Sequence, residues 1–233
     1  MNSEYRVVEK VGDIPLDDNL VNEFVHYVSG LDLPKTHVLS EDDGEQNPYF
    51  NKYIIYDEIF ARFFQNPGEY ELFVKAAIHT NLLPPCQNKK DEHLRRCLVG
   101  AIHLFLTEYY KKFFIMRLSI TFTDPESFMH YHQDLAGENA DRFVIDVTDS
   151  ENGMSGIEVE DRLYTLDRLA VYKLDTTKMH RSANYSPNHK KVSLIIQGIS
   201  GLDQYLEYQR KHLELFHQAM SLDQSPQGMQ MFT

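Results

Sequence analysis

FFIMRLSITFTDPESFMHYHQD, Phe113 to Asp134, is where the chain changes character. Upstream, apolar residues recur mostly at helical spacing. From here to Gly198 they alternate or come in short runs. Within the stretch, Ile115–Phe122 reads as a strand, Thr123-Asp124-Pro125 as a turn, and Phe128–His132 as a second strand. Phe143–Val147, Gly156–Glu160, Arg162–Leu166, Ala170–Leu174 and Val192–Gln197 follow in the same style. Turn signals separate them at Glu151-Asn152-Gly153, Asp175-Thr176-Thr177 and Ser186-Pro187-Asn188. Many short strands at this spacing predict a β-sandwich or jelly roll.

Outward from this core the pattern is helical. Val21, Phe24, Val25 and Val28 form one apolar stripe, with Asp18 or Asn19 as its cap. Leu33 to Pro48 is a loop with an acidic tip, and Tyr53 to Phe64 fits either a helix or an extended segment. Asn66-Pro67 opens a helix that stops near Leu82, before Pro84-Pro85. A longer one spans Lys90 to Lys112, with Leu94, Cys97, Leu98, Ala101, Phe105 and Tyr109 on one face. After the strands, Asp203 to Met220 is helical, and the polar tail beyond it is loose. The organisation expected is a mostly helical support region at 1–112, a core at 113–200, and a helix with tail at 201–233, all in one structural domain.

Composition narrows the function classes. The 233 residues can bury a sizeable core. Net charge is −12, so the basic footprint of a general nucleic-acid binder is missing. No apolar run reaches the length of about 18 residues that a spanning helix needs. The polar opening MNSEYRVVEK does not read as a secretory signal. Two cysteines, Cys86 and Cys97, form no disulfide framework, which suggests a reducing compartment and a cytoplasmic location. A single Cys86–Cys97 bridge is the less favoured alternative. Eleven histidines with no tryptophan raise the question of whether any of them converge.

FMHYHQD, Phe128 to Asp134, answers it in part. On a strand, alternate residues share a face, so His130, His132 and Asp134 point the same way. His132 and Asp134 can reach one ion, and His180, 46 residues further along, is the best candidate for a third ligand. Two imidazoles and one carboxylate on one face of an octahedron leave three positions open, the ligand set of non-haem Fe(II) oxygenases. Two of these take a bidentate 2-oxo acid and the third takes dioxygen. Downstream, Lys191 and Ser193 share a strand face and are suited to grip a carboxylate; otherwise Lys191 is a solvated strand-edge lysine.

Together these residues resemble the Fe(II)- and 2-oxoglutarate-dependent dioxygenases. The similarity is greatest to the aspartyl/asparaginyl β-hydroxylase-like branch, which includes cis-proline hydroxylases. Leu174 to Ser186, LDTTKMHRSANYS, is similar to that branch's Leu-Asp-x-x-x-x-His-x-x-x-Asn-x-Ser segment. Met116-Arg117-Leu118-Ser119 resembles the strand before its HxD motif, and Arg142 stands where the family places an arginine. The match covers roughly Phe114 to Gly198. It departs at Lys191 (or Lys190), where arginine is usual, and at Val144, where the branch often has histidine.

The resemblance implies a double-stranded β-helix, that is a cupin-like jelly roll of α+β class, with helices packed outside it. It implies Fe(II) on His132, Asp134 and His180. It places the distal carboxylate of 2-oxoglutarate on Lys191 and Ser193, with Arg142 for a cofactor or substrate carboxylate. Arg117 and Asn184 are candidates for the substrate pocket. The implied reaction hydroxylates an unactivated C–H bond and converts 2-oxoglutarate to succinate and CO2, with ascorbate as an optional reductant. Asp134 favours hydroxylation over halogenation, whose enzymes carry a small residue there. The partners expected are dioxygen and a small polar, amino-acid-like substrate, free or carrier-tethered, with neither nucleic acid nor membrane. Two alternatives remain. A cupin-type metalloenzyme would use His130-x-His132, although its glutamate position falls on Ala136 and Gly137. A non-enzymatic jelly-roll binding protein would leave the triad accidental.

Overall fold

The computed structural model describes residues 7–30, 38–39, 46–47, 50–57, 88–110, 112–134 and 140–223. The elements in chain order are β1 (Val8–Asp13), α1 (Asp18–Ser29), β2 (Val38–Leu39), β3 (Gln46–Asn47), β4 (Phe50–Asp57), α2 (Lys89–Tyr110), β5 (Phe113–Thr123) and β6 (Ser127–Phe128). Then come β7 (Asp141–Asp146), β8 (Ser155–Val159), β9 (Arg162–Tyr164), β10 (Ala170–Leu174), β11 (His180–Asn184), β12 (Lys191–Ser200) and α3 (Leu202–Asp223). The helix expected from Asn66 to Leu82, Cys86 and the tail lie outside the described residues.

Two antiparallel sheets carry the fold, a six-stranded one in the order β1-β10-β7-β12-β5-β4 and a four-stranded one in the order β6-β11-β8-β9. From β5 onward the chain passes back and forth between them, which is the jelly-roll path expected from the strand spacing. β2 and β3 pair separately and flank the acidic tip of the predicted loop.

The period of two decides what each sheet face meets. On the outer face of the six-stranded sheet, Leu118, Ile120 and Phe122 of β5, Phe143 and Ile145 of β7, and Val192, Leu194 and Ile196 of β12 are all buried. They pack against Val21, Phe24 and Val28 of α1 and Leu94, Leu98, Ile102 and Leu106 of α2. Each such side chain contributes about 1.5–3 kcal/mol by leaving water. The buried stripe of α2 is rotated from the predicted one, since Tyr109 is exposed and Ile102 and Leu106 are fully buried. The i, i+4 repeat of 94, 98, 102 and 106 follows the sheet, not the longer aromatic row.

Among its described residues, the expected support region carries strands as well as the helices α1 and α2. It supplies both edge strands of the large sheet, β1 on β10 and β4 on β5. VEKVGD carries charges on an edge, which discourages further strand addition but hides the apolar alternation. The cap of α1 is Asp17, one residue before the predicted pair, and its carboxylate accepts from the N–H groups of Asn19 (2.7 Å) and Leu20 (3.2 Å).

Candidate metal centre

His180 opens β11 and is paired with Val159 of β8. Its backbone exchanges two hydrogen bonds with His132: His132 N–H to His180 O (3.1 Å) and His180 N–H to His132 O (2.9 Å). This one bridge, after the short strand β6, puts the two imidazole centroids 4.4 Å apart. Two residues on, the Asp134 N–H donates to Thr176 O (3.2 Å), which ties the carboxylate-bearing turn to the loop before β11. The ligand atoms of His132, Asp134 and His180 lie within 4.8 Å of one another. Among the described residues, His130 is not part of the cluster and its carbonyl serves His132 instead.

Each side chain is held by a neighbour. His132 Nδ1 lies 3.1 Å from His130 O, and His180 Nδ1 lies 2.9 Å from Lys178 O. A carbonyl only accepts, so each Nδ1 carries the proton and each Nε2 presents a lone pair. Burial, with His132 alongside, holds the His180 imidazole below its ordinary pKa and so in the neutral, ligating form. Asp134 Oδ2 accepts from Arg142 Nε (2.8 Å), while Arg142 NH1 donates to Gln197 Oε1 (2.9 Å). Arg142 is thus engaged with the candidate ligand carboxylate and fixes its orientation. Arg117 and Arg142 are each in register with Gln197, from β5 and β7, so the three form one cross-strand row.

The interior face of the six-stranded sheet continues as a polar ladder of Ser119, Thr121, Thr123, Ser193, Asp146 and Lys191, all buried. Lys191 Nζ crosses to the other sheet, where it donates to Gly156 O (2.6 Å) and Ser182 Oγ (3.1 Å). Gly156 also lets β9 come close to β8, since a Cβ there would collide with the carbonyl of Tyr164. Ser193 Oγ donates to Asp146 Oδ1 (2.5 Å), and the same oxygen is 3.7 Å from Lys191 Nζ. Burial pushes Lys191 down and Asp146 up, and the attraction between them opposes both shifts. Lys190 instead faces outward, half exposed and paired with Asp124 at 2.8 Å.

Asn184 is occupied elsewhere. Its amide donates to the carbonyls of Thr123 (3.1 Å), Asp124 (3.1 Å) and His189 (2.7 Å), and its Oδ1 accepts from Ser186 N–H (3.2 Å). It fastens the turn after β11 to the end of β5. Asp146 was not singled out in the sequence. Its one visible signal is a lone acid inside the apolar run FVIDV, on the face opposite Phe143 and Ile145.

No family model matches the sequence, and no curated protein matches it. The fold is similar to that of SnoN, a non-haem alpha-ketoglutarate-dependent epimerase from nogalamycin biosynthesis, at TM-score 0.50 and 10% identity over 83% of this chain and 78% of that one. A collagen prolyl hydroxylase of Paramecium bursaria Chlorella virus-1, solved with 2-oxoglutarate, gives TM-score 0.48 and 10% identity over 84% of this chain and 97% of that one. A 2OG-Fe(II) oxygenase-family oxidoreductase from Burkholderia pseudomallei gives 0.48 and 15%, over 80% and 81%. At 10% identity the likeness to SnoN is one of fold alone. No described helix is long and apolar enough to cross a membrane.

Proposed function

We propose that the chain is an Fe(II)- and 2-oxoglutarate-dependent oxygenase that hydroxylates a small, polar, amino-acid-like substrate. The carrying observation is the cluster of two imidazoles and one carboxylate within 4.8 Å, with both imidazoles held in the ligating tautomer. That donor set fits Fe(II) and leaves coordination positions open. Bound iron and 2-oxoglutarate would supply, with dioxygen, the oxidant for a C–H bond, with succinate and CO2 as co-products. Lys191 and Ser193 would hold the distal carboxylate through an ammonium and a hydroxyl on the interior wall. Arg142 would keep the Asp134 carboxylate aimed at the metal. Arg117, in the same row, is the candidate partner for a substrate carboxylate, and Asn184 shapes the wall by fixing its turn.

Within this class, the Leu174–Ser186 segment supports the aspartyl/asparaginyl β-hydroxylase-like branch. Residues 113–200 would form the catalytic core, with the N-terminal region bracing the large sheet and α3 closing the end. The scarcity of cysteine supports a cytoplasmic setting. The test is anaerobic addition of Fe(II) and 2-oxoglutarate. A visible metal-to-ligand charge-transfer band, lost in His180→Ala, is expected, and its absence from folded protein would refute the assignment. A screen of free amino acids for succinate release above the uncoupled rate then identifies the substrate class.

A further inference from the structure

We infer that Asp146 makes the co-substrate cradle electrically neutral, so that a dicarboxylic 2-oxo acid enters it together with one proton. The inference rests on the oxygenase assignment and concerns what its carboxylate pocket selects. Lys191 and Asp146 are both essentially out of water, with side chains 1% and 2% exposed, and their charged atoms are 3.7 Å apart. The cation that would receive the distal carboxylate therefore already has an anion. Wherever their shared proton sits, the pair has a net charge of zero.

A second carboxylate brings the pocket to −1, and a buried uncompensated charge is costly. Two carboxylates sharing one ammonium ionise together only with difficulty, so one of them holds a proton. Ser193 already donates its hydroxyl to Asp146 and so cannot give the same proton to the incoming carboxylate. A protonated Asp146 releases that hydroxyl and becomes a donor itself.

Among the described residues, the groups facing Asp146 offer no other source of charge. From β12 they are Lys191 and Ser193. From β5 come Thr121 and Thr123, and from β11 Ser182 with His180 further along the same face. β8 contributes the Gly156 carbonyl, while its Glu158 is bonded to Arg181 (2.9 Å). From β10, the Tyr172 hydroxyl accepts from Asp167 N–H (3.2 Å). Lys191 is the charged group that acts on Asp146.

The test uses the anaerobic Fe(II)-loaded protein and the charge-transfer band as readout. 2-Oxoglutarate stays doubly ionised throughout, so its dissociation constant should rise about tenfold per pH unit between about pH 6.5 and 8.5. Titration calorimetry in two buffers of different ionisation enthalpy should count about one proton taken up. 2-Oxovalerate, which has the same chain without the distal carboxylate, reports on the metal end alone and should show neither effect. Asp146→Asn should bind 2-oxoglutarate with a flat pH profile and no proton uptake. The two wild-type measurements decide the matter even if that variant does not fold. A band with pH-independent 2-oxoglutarate binding and no proton uptake overturns the proposal and leaves the oxygenase assignment standing. So does an Asp146→Asn variant that keeps the full slope, or an equal slope for 2-oxovalerate. No band with either acid at any pH overturns both.

Discussion

The two faces of the six-stranded sheet are built from the same strands and differ in almost everything else. The outer face is an unbroken apolar surface, Leu118, Ile120, Phe122, Phe143, Ile145, Val192, Leu194 and Ile196, sealed by α1 and α2. One residue away along each strand, the inner face is Arg117, Ser119, Thr121, Thr123, Arg142, Asp146, Lys191, Ser193 and Gln197, interrupted by Val144 and Ile195. Burying polar groups there costs free energy unless each finds a partner. The outer face contributes the stability that lets the inner one be polar, and the inner one reaches the His132, Asp134 and His180 cluster of the other sheet through Arg142.

Single substitutions on the outer face, on the inner face and in the cluster that Arg142 of the inner face touches should separate these roles. The largest contrast is between His180→Ala and Phe143→Ala. The first should abolish Fe(II) binding and succinate release while leaving a folded protein. The second should cost about 3–5 kcal/mol in denaturant unfolding, with the surviving folded fraction still binding Fe(II). Next comes the buried pair. Lys191→Met strands Asp146 and should cost about 3–5 kcal/mol, whereas Lys191→Met combined with Asp146→Leu should recover most of that stability without recovering 2-oxoglutarate binding. If the double variant is no more stable than the single one, the pair is not the unit described here.

Arg142→Gln removes the hold on Asp134 and should lower Fe(II) affinity by about 10–100-fold, read by metal titration, with little change in the unfolding midpoint. The cluster on the opposing sheet should also make the metal-free protein pH-sensitive. His180 is held below its ordinary pKa, so the unfolded chain takes up its proton first. Its contribution to stability is fully present above about pH 6.5 and is lost as pH falls through the folded value. Unfolding of the metal-free protein at a series of pH values should show this loss, and His180→Gln should reduce it. The smallest effect belongs outside both faces. Asp17→Ala should cost about 1 kcal/mol through the α1 cap and leave the site unchanged.

Much of this contrast was legible in residue order, because strand alternation separates the faces before any folding is considered. The jelly-roll core, its strand spacing and the shared face of His132 and Asp134 follow from short-range pattern, whereas His180, 46 residues beyond Asp134, is only a candidate until its bridge to His132 is seen. What escaped did so for identifiable reasons. HRSAN, β11, has no alternating apolar residues because its inward positions are His180, Ser182 and Asn184, which are satisfied by polar partners on other strands. β1 and β4 are edge strands, one of them dominated by charge. Asn184 resembled a pocket residue by motif, yet its amide is taken up by three backbone carbonyls.

From the sequence alone came which residue types were available, their periodicity, and hence which side chains share a face. These depend on backbone geometry within a few residues. Tertiary structure alone decided the partners. Arg142 engages Asp134, Lys191 turns inward while Lys190 turns out, and Asp146 meets Lys191 across 45 residues of chain. A buried charge is stable only next to its complement, and which complement lies near it is set by strand order and register, to which local pattern is blind.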